Sequence, residues 1–112
     1  MSIDNSNVVD AVHVDSQTGE VILTITDHLG WTDSSGEHLL LLQDKINGYL
    51  RFVEGGDLLR AYPKAMGKRA VIDVVGRYPL NDEAKQFYEL ATPKIKAAGI
   101  GLRFRLSSES SH

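Results

Sequence analysis

The sequence predicts an α/β fold of the α+β type: a two-layer sandwich in the order β-β-α-β-α-β, with a four-stranded mixed sheet and both helices on one face. Three observations carry it. Four short segments read as strands, three of them rich in β-branched residues and the last alternating apolar with basic ones, and two longer segments repeat apolar residues at helical spacing. Each helical segment lies between two strand segments, and such crossovers are right-handed, so two of them moving the same way across a sheet leave both helices on one face. The strands are also polar on one side. Leu102, Phe104 and Leu106 alternate with Arg103 and Arg105, and Asp73 interrupts the third strand on one side only. A sheet covered on both faces would read as unbroken apolar runs.

The elements follow in order. Residues 8–14 are β-branched and form the first strand, with either Val8, Asp10, Val12 and Val14 or Val9, Ala11 and His13 facing inward. His13 is expected to be packed there. Asp15 to Gly19 is a turn, and residues 20–26 return as the second strand of a hairpin. Ser34 and Glu37 have the spacing of a capping box and start a helix that runs to Glu54. Its apolar face is Leu39, Leu42, Ile46, Tyr49, Leu50 and Val53. Gly55 and Gly56 end it; residues 57–62 make one further short turn of helix, stopped by Pro63. Residues 69–76 are the third strand. Asn81 caps a helix from Asp82 to Ala98 whose apolar face is Ala84, Phe87, Tyr88, Ala91, Ile95 and Ala98. Pro93 removes a hydrogen bond inside it, so a kink or a break with a restart at Thr92 is expected. Gly99 ends it and residues 100–106 are the fourth strand. The sheet order is 1-2-3-4, or 2-1-3-4 if the first strand inserts, with the hairpin strand antiparallel to the rest.

With 112 residues the chain makes one domain over residues 1–106, with a frayed start at 1–7 and a disordered polar tail at 107–112. Its composition, 42% apolar and 24% charged, is that of a soluble globular protein. No apolar run approaches the roughly 18 residues of a membrane span. The acidic, polar start lacks the features of a secretory signal, so a cytoplasmic location is expected. There is no cysteine, which excludes disulfides, thiolate zinc sites and thiol nucleophiles. Charge is uneven. Ten acids against two bases leave residues 1–57 at −8, and ten bases against five acids leave residues 58–112 at +5. Within one domain the halves pack together and neutralise one another. The net charge of −3 argues against nucleic acid as a partner.

Three constellations bear on function. Asp27, His28, Asp33, Glu37 and His38 fall within twelve residues between a strand end and a helix start, where α/β proteins often bind ligands. Imidazole with carboxylate suits metal binding or proton transfer, but the spacing matches no metal signature and no metal or cofactor is assigned. A plain structural account also fits: Asp27 closes a strand, Trp31 plugs the core edge, and Asp33 and Glu37 favour the positive end of the helix. The second is an open sheet face bearing Thr24, Thr26, Asp73, Arg103 and Arg105, either a platform for a partner or a solvated face with an Asp73–Arg103 or Asp73–Arg105 ion pair. Ile22 on that face hints that part of it is covered. The third is Arg60, Lys64, Lys68 and Arg69 with Tyr62, a candidate anion site or an ordinary solvated connector.

The run Asp27-His28-Leu29-Gly30-Trp31, followed by Leu41-Leu42-Gln43-Asp44-Lys45-Ile46-Asn47, resembles a bacterial family of small proteins of unknown function, and the likeness extends from about Asn7 to Leu106. The resemblance implies a bacterial, cytoplasmic protein and transfers no catalytic residues. A non-enzymatic interaction or accessory module is therefore expected, binding another protein or itself. The alternatives are a metal-dependent or acid/base enzyme centred on residues 27–38, and polyanion or nucleic-acid binding by the basic C-terminal half.

Overall fold

The computed structural model describes residues 11–31 and 35–106. Strand β1 (Ala11–Val14) and strand β2 (Val21–Asp27) form the expected hairpin, with Val12 opposite Leu23 and Val14 opposite Val21. The turn is held by Asp15, whose Oδ1 accepts from the backbone N–H of Gln17 at 2.8 Å and of Thr18 at 3.2 Å. These two donors hold the Asp15 carboxyl below the ordinary aspartate range. Gly19 completes the turn at φ 75°, which costs glycine nothing.

Helix α1 (Ser35–Glu54), a short helix α2 (Asp57–Ala61) and a 3-10 turn at Pro63–Ala65 cross to strand β3 (Ala70–Gly76). Helix α3 (Asp82–Ala97) then crosses to strand β4 (Gly101–Leu106). Strands β2, β3 and β4 are parallel, and the order is β1-β2-β3-β4, the first of the two orders the sequence allowed.

The layering follows from which residues are buried. Val21, Leu23 and Ile25 of β2, Ile72 and Val74 of β3 and Leu102 of β4 share one cluster with Leu42, Ile46 and Tyr49 of α1, Leu58 of α2, and Ala84, Tyr88 and Ile95 of α3. All the helices therefore cover one sheet face. Val12 packs partly against this cluster while His13 is exposed, which settles the inward set of β1 and corrects the expectation that His13 is packed. On the opposite face Thr24, Asp73 and Arg103 stand in one row across β2, β3 and β4.

Two further expectations change. Helix α3 runs unbroken through Pro93. Proline removes only one donor, and the carbonyl it leaves free is that of Glu89, an exposed residue that water can reach. Thr92 Oγ donates to the Tyr88 carbonyl at 2.6 Å instead of restarting the helix. The inward stripe of α1 includes two polar residues that the apolar spacing passed over. His38 and Lys45 are buried beside Leu42, Ile46 and Tyr49. Lys45 Nζ lies 5.5 Å from the centre of the Tyr49 ring, and Tyr49 Oη donates to the Thr24 carbonyl at 2.8 Å. The Ser34 cap, the frayed start and the polar tail lie outside the described residues.

At the end of β3, space rather than dihedral angle demands glycine. A Cβ on Gly76 would stand 2.5 Å from Phe104 Cε1. Gly76→Ala is expected to displace the Phe104 ring and cost about 1–3 kcal/mol, read from the midpoint of urea unfolding.

Candidate functional site

Of the cluster at residues 27–38, the fold unites two members. Asp27 ends β2 and His38 lies near the start of α1, and each side chain is 2% exposed. His38 Nε2 is 2.7 Å from Asp27 Oδ1 and 2.6 Å from Oδ2, while its Nδ1 is 2.8 Å from the Gly30 carbonyl. A carbonyl only accepts, so Nδ1 carries a proton and donates it. One further proton lies in the short bond between Nε2 and the carboxylate. The ring has no lone pair left for an outside ligand.

Trp31 closes the remaining access. Its ring stacks on the imidazole with centroids 3.5 Å apart and planes at 18°, and Trp31 is itself buried. Asp27 also accepts from the Leu29 N–H at 3.2 Å, and its carbonyl accepts from the Arg77 N–H at 2.9 Å. The Trp31 carbonyl accepts from Asn81 Nδ2 at 3.3 Å, and Asn81 caps α3 by accepting from the Ala84 N–H at 2.9 Å. The pair thus fastens the end of β2 to the start of α1, and the loop between them fastens onto α3.

His28 and Glu37 are exposed and join neither residue, and Asp33 lies outside the described residues. The described residues contain no group of three His, Asp or Glu side chains placed to hold a metal ion. General acid–base work needs a group within hydrogen-bond reach of a substrate proton. Asp27 and His38 reach only one another and the backbone.

Tyr88 was missed as a polar feature because its spacing on α3 marks it as core. Among the described residues its Oη is a buried side-chain polar atom with no hydrogen-bond partner. Burial, reinforced by the nearby Asp27 charge, pushes its ionisation well above the ordinary tyrosine range.

The second constellation does assemble. Asp73, 1% exposed, receives Arg103 Nε on Oδ1 at 3.1 Å and Arg105 Nε on Oδ2 at 3.0 Å. Both of the alternative ion pairs are therefore made at once. Arg103 and Arg105 remain 49% and 60% exposed. Thr24 beside them is half-buried and Thr26 is exposed. Ile22 and Val71, on the same face, are buried within the single chain, which accounts for the apolar hint there. A partner is not required to cover them.

The basic loop does not gather its four cations at one site: Lys68 and Arg69 line a cleft of about 300 Å³, while Lys64 lines a different groove. Arg60 pairs with Asp57 and Arg69 with Glu20, the latter at 3.8 Å, so acids answer two of its four cations. Lys64 and Lys68 are exposed.

Fold and side chains together define a small α+β protein with an internal histidine–aspartate pair and an arginine-bearing sheet face. The chain belongs to a family of unknown function, DUF6572, whose model matches residues 1–108. No curated protein and no solved structure matches it. The family carries no named activity, in line with the resemblance seen in the sequence. Among the described residues no helix is long and apolar enough to cross a membrane.

Two stability measurements probe this interior. His38→Ala leaves the Asp27 carboxylate buried without its partner and is expected to cost about 3–5 kcal/mol in urea unfolding. Tyr88→Phe removes an unpaired hydroxyl and is expected to stabilise by about 1 kcal/mol. It also changes the alkaline arm. The native fold favours the neutral phenol, so its contribution is full below the unfolded value of about 10 and is lost as pH rises past it. Urea midpoints at about pH 8 and 10.5 should fall less for Tyr88→Phe than for the parent.

Proposed function

We propose that this protein is a non-enzymatic binding module whose open sheet face receives an acidic protein surface. One observation carries the proposal: the buried Asp73 carboxylate holds two guanidinium groups by their Nε atoms while both arginine side chains stay about half exposed. Arginine binds carboxylates through its planar guanidinium, and a side chain already held in place loses less entropy on binding. The two arginines outnumber Asp73 by one positive charge, and Arg103 also acts on the carboxylate of Asp15, so this part of the sheet attracts carboxylates. Thr26 supplies an exposed hydroxyl nearby. The sealed Asp27–His38 pair supports a binding role over an acid–base one, because its protons are committed to internal bonds. The resemblance to a bacterial family supports a bacterial cytoplasmic setting.

Titration of the 15N-labelled protein with tetraglutamate at about 50 mM salt tests this. The Nε–Hε signals of Arg103 and Arg105 are expected to shift, and the shifts should fade as salt rises. Tetralysine should leave them in place. Signals unmoved by millimolar tetraglutamate, or moved equally by tetralysine, would sink the proposal.

A further inference from the structure

We infer that the acidic partner binds as an added fifth strand along the free edge of β4, an extended segment in which carboxylates alternate with apolar residues. This rests on the proposed binding role of the sheet face and names the mode and chemistry of its partner. Strand β4 ends the sheet, and among the described residues no strand lies on its far side. The other edge, β1, runs beside the Ala61–Ala65 segment, with which it lines an apolar groove of about 480 Å³. An uncovered edge strand offers a row of backbone donors and acceptors to an extended chain.

The side chains of β4 specify what such a chain carries. Its open-face positions are Arg103 and Arg105, two residues apart, and a neighbouring strand repeats that spacing. Cross-strand pairs of opposite charge stabilise a sheet and like charges oppose it. Asp73 already shows the pattern from the inner side, since β3 sets Asp73 directly opposite Arg103. Acids at alternate positions of a fifth strand would repeat it from the outer side. On the helix-covered face Phe104 is partly buried and Leu106 is 49% exposed, so apolar residues between the acids would extend the core.

The same arginines oppose self-pairing. Two β4 strands meeting antiparallel near their centres would set Arg103 or Arg105 against an arginine of the other copy, with the like charges directly apposed. The edge is therefore guarded against its own kind and open to a partner of opposite charge.

The probe is the capped peptide Ser-Val-Glu-Val-Glu-Val-Ser, titrated into the whole protein by calorimetry at about 50 mM salt. Two controls accompany it: Ser-Glu-Glu-Val-Val-Val-Ser, of the same composition, and the alternating peptide N-methylated on every second residue. Both controls are expected to bind at least about tenfold more weakly, the first having lost register and the second its backbone donors. Alternate β4 amides should exchange more slowly with solvent when the parent peptide is bound. Equal affinity for all three peptides would overturn strand addition while leaving the acidic-surface role standing. If tetraglutamate and all three peptides fail to bind, both ideas fall together.

Discussion

The buried bond between Asp27 and His38 is the constraint on which the rest of this structure depends. It joins the last residue of β2 to the first turns of α1, elements that otherwise share apolar contacts and the bond from the Tyr49 hydroxyl to the Thr24 carbonyl. A carboxylate and an imidazole removed from water are costly unless every donor and acceptor is answered. Here the answers are close at hand: the Gly30 carbonyl, the Leu29 amide and the face of Trp31. The requirement that each be answered fixes the path of residues 27–31. That path presents the Trp31 carbonyl to Asn81, and so orients the start of α3. One polar pair therefore registers both long helices on the sheet.

A second aspartate does comparable work on the other side of the sheet. Asp73 is as buried as Asp27, but its partners are two arginines that reach back from solvent rather than one ring sealed in the core. The difference decides what each site can do. The histidine spends both nitrogens inside the protein. Each arginine spends Nε and stays about half exposed. The same chemistry, a buried carboxylate holding a cation in place, closes one site and leaves the other available.

Much of the fold was legible because local signals agreed with one another. The β-branched runs, the alternation of Arg103 and Arg105 with apolar residues, and Asn81 before its helix all pointed to the arrangement observed. The inner face of α1 was only half legible. Spacing marks His38 and Lys45 as inward, since they follow the same 3–4 rhythm as Leu42 and Tyr49, but polarity hid them. Burial of such residues depends on partners distant in sequence, and Asp27 lies eleven positions from His38. Proximity along the chain also overstated the cluster: Asp27 and His38 meet, whereas His28 and Glu37 turn outward. Pro93 misled in the opposite sense, because the exposed flank of α3 tolerates the missing hydrogen bond.

The clasp between β2 and α1 shows most directly in the state of the His38 ring. Proton-detected 15N correlation spectra, with long-range transfer within the imidazole, can observe it at neutral pH. Two ring-associated protons are expected, one on Nδ1 and one in the Nε2–Asp27 bond, both far downfield and slow to exchange with water. A single ring proton exchanging freely with solvent would show that the pair is open, and would contradict its place as the clasp of the fold.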